Sequence, residues 1–88
     1  QRTWSRMDRA LYLRQLQVMF EASIPLYRSA AVLAEGKEYG PLVSSKLREV
    51  PRDLERGRTL SKSLERSGLF SPIIVSSVRL GEESGKLD

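Results

Sequence analysis

Apolar residues recur along this chain every three to four positions, without a stretch of strict alternation. That period predicts helices and no strands. Ser5 followed by Asp8 has the spacing of a capping box, so a first helix is expected from about Arg6 to Ala22. Tyr12, Leu13, Leu16, Met19 and Phe20 form its apolar stripe. Leu11 and Val18, one heptad apart, point to the opposite side. Two explanations fit them equally: a central helix buried on both sides, or a subunit interface.

Pro25 suits the first turn of a second helix, where its missing N–H has no intrahelical partner to lose. Leu26, Ala30 and Leu33 give the spacing, and Gly36 supplies a stop. Gly40-Pro41 opens a third helix with the stripe Val43, Leu47, Val50 and Leu54. Pro51 lies inside that stripe and predicts a kink or break near Val50. Gly57 ends the element. A short helix carrying Leu60 and Leu64 is capped by Thr59 or Ser61 and stopped by Gly68. Ser71-Pro72 starts a last helix with Ile73, Ile74, Val75, Val78 and Leu80, apolar on most sides and therefore expected to be central or part of an interface. Gly81 and Gly85 bracket Glu82, Glu83 and Ser84 as a helix–helix corner. The expected fold is all-α, a compact bundle of about five to six short helices forming one domain over residues 1–88.

Composition narrows the chemistry. The 88 residues contain neither cysteine nor histidine. Disulfides, cysteine metal sites and the commonest general base are therefore excluded, and most hydrolytic triads and zinc sites with them. An enzyme is not expected, nor is any cofactor; no phosphate-binding glycine loop is present. The longest near-apolar stretch, Leu69 to Leu80, is too short to span a bilayer. The sequence starts with Gln1, so it is expected to be a piece of a longer protein.

Net charge is +4, a small excess that permits nucleic acid, anionic lipid or an acidic protein partner without selecting one. Arg48, Arg52 and Arg56 stand at successive i,i+4 positions with Arg58 nearby. As a ridge they suit an acidic partner or lipid phosphates. The preferred reading is a solvated face, because Glu49, Asp53 and Glu55 are interleaved and give Arg52–Glu55 and Glu49–Asp53–Arg56 neighbours. Glu82, Glu83 and Asp88 form a weak candidate site for a hard cation such as calcium. The favoured alternative is that one of the glutamates caps a neighbouring helix or pairs with an arginine, since calcium takes about six or more oxygens. Trp4 is either an anchor on another surface or a staple on the domain's own edge, and the second is preferred. A small basic helical nucleic-acid-binding domain is the alternative function, weakened by the want of a helix face free of acids.

Three stretches together resemble the type II secretion system F domain. Arg14-Gln15-Leu16 followed by Ala22-Ser23-Ile24-Pro25-Leu26 is similar to the family's Arg-Gln-Leu and Ala-Gly-Ile-Pro-Leu. Leu54-Glu55-Arg56-Gly57-Arg58-Thr59-Leu60-Ser61 is similar to its Gly-x-Ser/Thr-Leu-Ser turn. Phe70-Ser71-Pro72 and Val78-Arg79-Leu80-Gly81-Glu82-Glu83-Ser84-Gly85-Lys86-Leu87-Asp88 complete the likeness, which covers about Met7 to Asp88. Ser23 stands where the family usually has glycine, which implies a slightly different or strained turn. Pro51 is untypical, and the helix that normally follows Leu-Asp is missing.

The resemblance implies a non-catalytic module on the cytoplasmic face of the bacterial inner membrane. The whole protein would be a multi-pass membrane platform for type II secretion or type IV pilus assembly. The implied partners are the assembly ATPase, other platform components and sister domains, with self-association and no nucleic acid. Arg14, Gln15, Pro25, Gly57, Gly81, Glu82, Ser84 and Gly85 are the motif-matching structural residues. Leu11, Arg14, Val18, Arg48, Arg52 and Arg56 are the interface candidates. Arg14 is preferentially read as bridging to Glu82 or Glu83.

Overall fold

The computed structural model describes residues 4–36 and 39–84. Among these every regular element is an α-helix: α1 (Arg6–Glu21), α2 (Leu26–Ala34), α3 (Gly40–Leu47), α4 (Glu49–Glu55), α5 (Leu60–Ser67) and α6 (Pro72–Glu83). The all-α bundle expected from the periodicity is the fold observed.

The helix starts are chemical. Ser5 and Asp8 form a complete capping box, each side chain bonding the other's backbone N–H. Thr59 caps α5 and Ser71 caps α6, with Pro72 in the first turn. Pro25 lies one residue earlier than expected, at the N-cap of α2, where its carbonyl accepts from the Arg28 and Ser29 amides. Pro51 breaks the third stripe as expected, but at Arg48, so α3 and α4 are separate helices. The break falls there because it places Pro51 in the first turn of α4, where no intrahelical donor is required.

Two helices end in the same hydrogen-bond pattern. After α1, the Ser23 amide donates to the Phe20 carbonyl and the Ile24 amide to the Met19 carbonyl. After α4, the Gly57 amide donates to Leu54 and the Arg58 amide to Asp53. Both are Schellman motifs, which need a left-handed residue just beyond the helix. Gly57 supplies it at φ +90°, whereas Ser23 adopts φ 70° and is the one positive-φ residue other than glycine among the described residues. The implied strain at Ser23 is therefore real.

The core is one cluster in which Leu16, Leu47, Val50, Leu60 and Leu64 are almost fully enclosed. Helices α2 and α4 are the central pair: α2 packs on α1, α3 and α4, and α4 on α2, α3 and α5. The inward residues of α2, Ser29, Ala30 and Ala34, are small, which lets three neighbours approach closely. Of the two expectations for helix α6, a central place does not hold. It buries Val75 and Val78 but leaves Ile73 and Leu80 exposed, because only α5 covers it extensively.

Trp4 closes one end of the core. Its ring meets Tyr39 at 5.0 Å, Phe70 at 5.8 Å and Tyr12 at 6.5 Å, all edge-on. Its indole N–H donates to the Leu69 carbonyl at 2.8 Å. Trp4 thus fastens the N-terminal arm to the α5–α6 connection and acts as a staple on the domain's own edge. The Tyr12 hydroxyl beneath it is buried with no hydrogen-bond partner among the described residues, and burial pushes its pKa well above the ordinary tyrosine value.

Candidate functional site

The densest polar cluster gathers on Asp53, which faces inward from α4 with its side chain 3% exposed. Asp53 Oδ1 accepts from Arg58 at 2.7 Å and from Arg66 at 2.9 Å. Asp53 Oδ2 accepts from the Ser63 hydroxyl at 2.8 Å. Arg56 stands 4.0 Å away. Burial alone would raise the Asp53 pKa; the Ser63 and Arg58 hydrogen bonds and the two guanidinium charges outweigh it and hold the carboxyl below the ordinary aspartate value. The cluster ties the end of α4, the Gly57 turn and α5 into one unit. The sequence reading placed Asp53 only as an interleaved surface acid. Its signal was its place one residue before Leu54 in the Val43–Leu47–Val50–Leu54 stripe, which puts it beside the buried face.

A second carboxylate secures the other side of the same turn. Glu82, from the last turn of α6, accepts from the Ser61 amide at 2.8 Å and from the Ser61 hydroxyl at 2.7 Å. It therefore supplies negative charge to the first turn of α5 in addition to the Thr59 cap. This joins the Thr59-Leu60-Ser61 stretch directly to the Gly81-Glu82 stretch. The expected bridge from Arg14 does not form: both Glu82 oxygens are occupied by Ser61, and Arg14 is exposed on α1 without an ion pair to any described residue. Gly81 is not at a corner either, since α6 continues through it to Glu83 and its φ is not positive. The Ser84 hydroxyl donates to the Gly81 carbonyl and Glu83 is exposed. Gly85 and Asp88 lie outside the described residues. Among the described residues no group of three or more acidic side chains could hold a metal ion.

The arginine ridge is partly neutralised. Arg52 pairs with Glu49 at 3.0 Å, not with Glu55. The i−3 partner lies one turn back on the same face, and both members are more than half exposed, so the pair contributes little stability. Arg48 is exposed and makes no ion pair with a described residue.

The apolar residues of the outer α1 face stay uncovered. Leu11 is 46% exposed and Val18 is 52% exposed, and Met7 continues the same line at 79%. Of the two explanations left open for Leu11 and Val18, burial on both sides of a central helix does not hold within this chain. Gln15 is exposed beside them. A groove of ≈ 190 Å³ runs between α1 and α6, lined by Leu13, Leu16, Gln17, Leu60, Ser77 and Val78. A larger hollow of ≈ 390 Å³ opens beside the Gly57 turn, with Leu26, Leu54 and Leu60 on its wall and Arg58 and Glu82 at its rim. Neither contains a nucleophile set against a base. Arg58 and Glu82 at the rim of the larger hollow are already paired, with Asp53 and with Ser61.

The polar clusters of this helical bundle serve its own turns, and apolar residues are left exposed on α1 and α6. The comparisons give it a family. Residues 12–88 match the family described as type II secretion system (T2SS), protein F, and the chain belongs to that family. It is 34% identical over 84 residues to the type IV pilus assembly protein PilC of Thermus thermophilus, covering 92% of this chain and 20% of that protein. It is 31% identical over 83 residues to PilC of Pseudomonas aeruginosa, covering 93% of this chain and 22% of that protein. The type II secretion system protein F of the same organism is 27% identical over 81 residues, covering 92% and 20%. The chain thus spans about a fifth of the length of these relatives. No solved structure matches it significantly.

Proposed function

We propose that this chain is a non-catalytic structural and interaction module of an inner-membrane assembly platform for type II secretion or type IV pilus biogenesis. The observation that carries this reading is the family match, which runs from the middle of α1 to the end of the chain and so takes in almost the whole bundle. The module would be one domain of a longer membrane protein, placed on the cytoplasmic face. Among the described residues no helix is long and apolar enough to cross a membrane, which suits a domain outside the bilayer. Its partners would be sister domains, other platform components and the assembly ATPase.

Arg48, Arg52 and Arg56 are the surface we assign to an acidic partner such as the ATPase. Their charge reversal in the full-length platform protein should abolish cross-linking to the ATPase and stop pilus assembly or secretion at an unchanged protein level. Normal cross-linking and assembly would remove the ridge from the mechanism. Nucleic-acid binding remains the competing reading, and the pairing of Arg52, Arg58 and Arg66 with acids counts against it. DNA affinity falling steeply with salt would favour it.

A further inference from the structure

Helix α6 is held firmly at its two ends and lightly between them. Just before its start, the Leu69 carbonyl accepts from the Trp4 indole N–H at 2.8 Å, and the buried Phe70 ring packs on Trp4 and Tyr12. In its last turn, Glu82 takes the Ser61 amide and hydroxyl. Between these ends only Val75 and Val78 are buried, and of the other helices α5 alone covers α6 extensively. The Arg79–Glu65 pair, at 3.8 Å, also reaches α5, but both members are more than two-fifths exposed and water competes for them.

The helix is weak in itself as well. Ile73, Ile74, Val75 and Val78 are β-branched, Ser76 and Ser77 are poor helix formers, and Gly81 is poorer still. At 12 residues it is too short to persist alone, so undocking unwinds it. Its second half lies where two hollows approach one another. Ser77 and Val78 line the groove of ≈ 190 Å³ toward α1, Glu82 stands at the rim of the hollow of ≈ 390 Å³ beside the Gly57 turn, and Leu60 lines both.

We infer that α6 is a strap: it opens as a unit from the fixed Leu69–Phe70 connection while α1 to α5 stay folded, and the Glu82–Ser61 contact is its latch. The unit ends at that connection because Gly68, at φ 72°, turns the chain out of α5 and the Trp4 bond holds Leu69 in place. Opening uncovers Leu60 and joins the two hollows. The Asp53 cluster stays closed, because Arg58, Ser63 and Arg66 all lie in α5 or in the turn before it. The strap is a property of the fold and does not depend on the platform role.

Native-state hydrogen exchange of the whole chain, followed amide by amide by NMR at a series of low urea concentrations, tests the strap. The amides of α6 should exchange at least about tenfold faster than those of α2 and α4, with a weaker dependence on urea, as opening of part of the fold requires. Glu82→Ala should speed α6 exchange by about tenfold, because the latch exists only in the closed state. Arg66→Ala separates the strap from the rest of the bundle. It should speed exchange in α2 and α4 by about threefold and leave α6 unchanged, since the Asp53 cluster persists when α6 is open. Three results would each overturn the strap: one rate for α6, α2 and α4 at every urea concentration; an α6 that Arg66→Ala speeds as much as α2; or an α6 rate that Glu82→Ala leaves unchanged. The platform role, read from cross-linking and assembly in cells, would stand under all three.

Discussion

Glu82 closes on Ser61, taking both the Ser61 amide and its hydroxyl into one carboxylate at 2.8 and 2.7 Å across 21 residues of chain. The contact holds the C-terminal end of α6 against the N-terminal end of α5, and it is the reason that two separate motif stretches belong to one structural device. Charge-assisted hydrogen bonds of this kind contribute about 1.5–3 kcal/mol each before their partners are counted as lost.

Glu82→Ala and Ser61→Ala should each lower unfolding free energy in urea by about 1–2 kcal/mol, and the double variant should lose much less than the sum. Additive losses would show that the two residues act independently.

Asp53→Ala should be more damaging, about 2–4 kcal/mol, because a buried carboxylate with three hydrogen-bonded partners is removed and Ser63 is left without its acceptor. Truncating Arg58 or Arg66 alone should cost under about 1 kcal/mol, since both are more than two-fifths exposed and water replaces the lost contact.

The depressed pKa of Asp53 has a pH consequence. Its folded-state pKa lies below the unfolded value, so the unfolded chain binds the proton first as pH falls. The stabilising contribution is therefore complete above the unfolded value of about 3.9 and is lost as pH falls from there through the lower folded value. Thermal melts from pH 6 to pH 2 should show a drop below about pH 4 that is reduced in Asp53→Asn. Equal slopes for the two proteins would assign the acid sensitivity to other carboxylates.

Ser23→Gly should raise stability by about 0.5 kcal/mol, because relief of the left-handed strain, about 1–2 kcal/mol, exceeds the chain entropy that glycine adds. A lowered melting midpoint would mean that the serine side chain supports the turn.

Tyr12→Phe should be neutral or stabilising by up to about 1 kcal/mol, since the buried hydroxyl has no partner to lose. Destabilisation in chemical denaturation would reveal a hydrogen bond to that hydroxyl.

The helices were legible in the sequence because their signals are local. The Ser5–Asp8 box, the Thr59 and Ser71 caps and the break before Pro51 each depend on a few consecutive residues, and period-3.6 patterning chose the inward faces of α1 and α5. Tertiary structure decided what depends on residues far apart in the chain. It put α2 and α4, not α6, at the centre, because Ser29, Ala30 and Ala34 admit close neighbours whereas Ile73 and Leu80 stay exposed. It turned Asp53 from an interleaved acid into a buried hub, since Arg58, Ser63 and Arg66 reach it only after α5 folds back on α4. It gave Glu82 to Ser61 and left Arg14 exposed, because α6 brings that carboxylate to the start of α5. Side-chain periodicity says which residues leave a helix on one face; only the packing of helices says which faces meet.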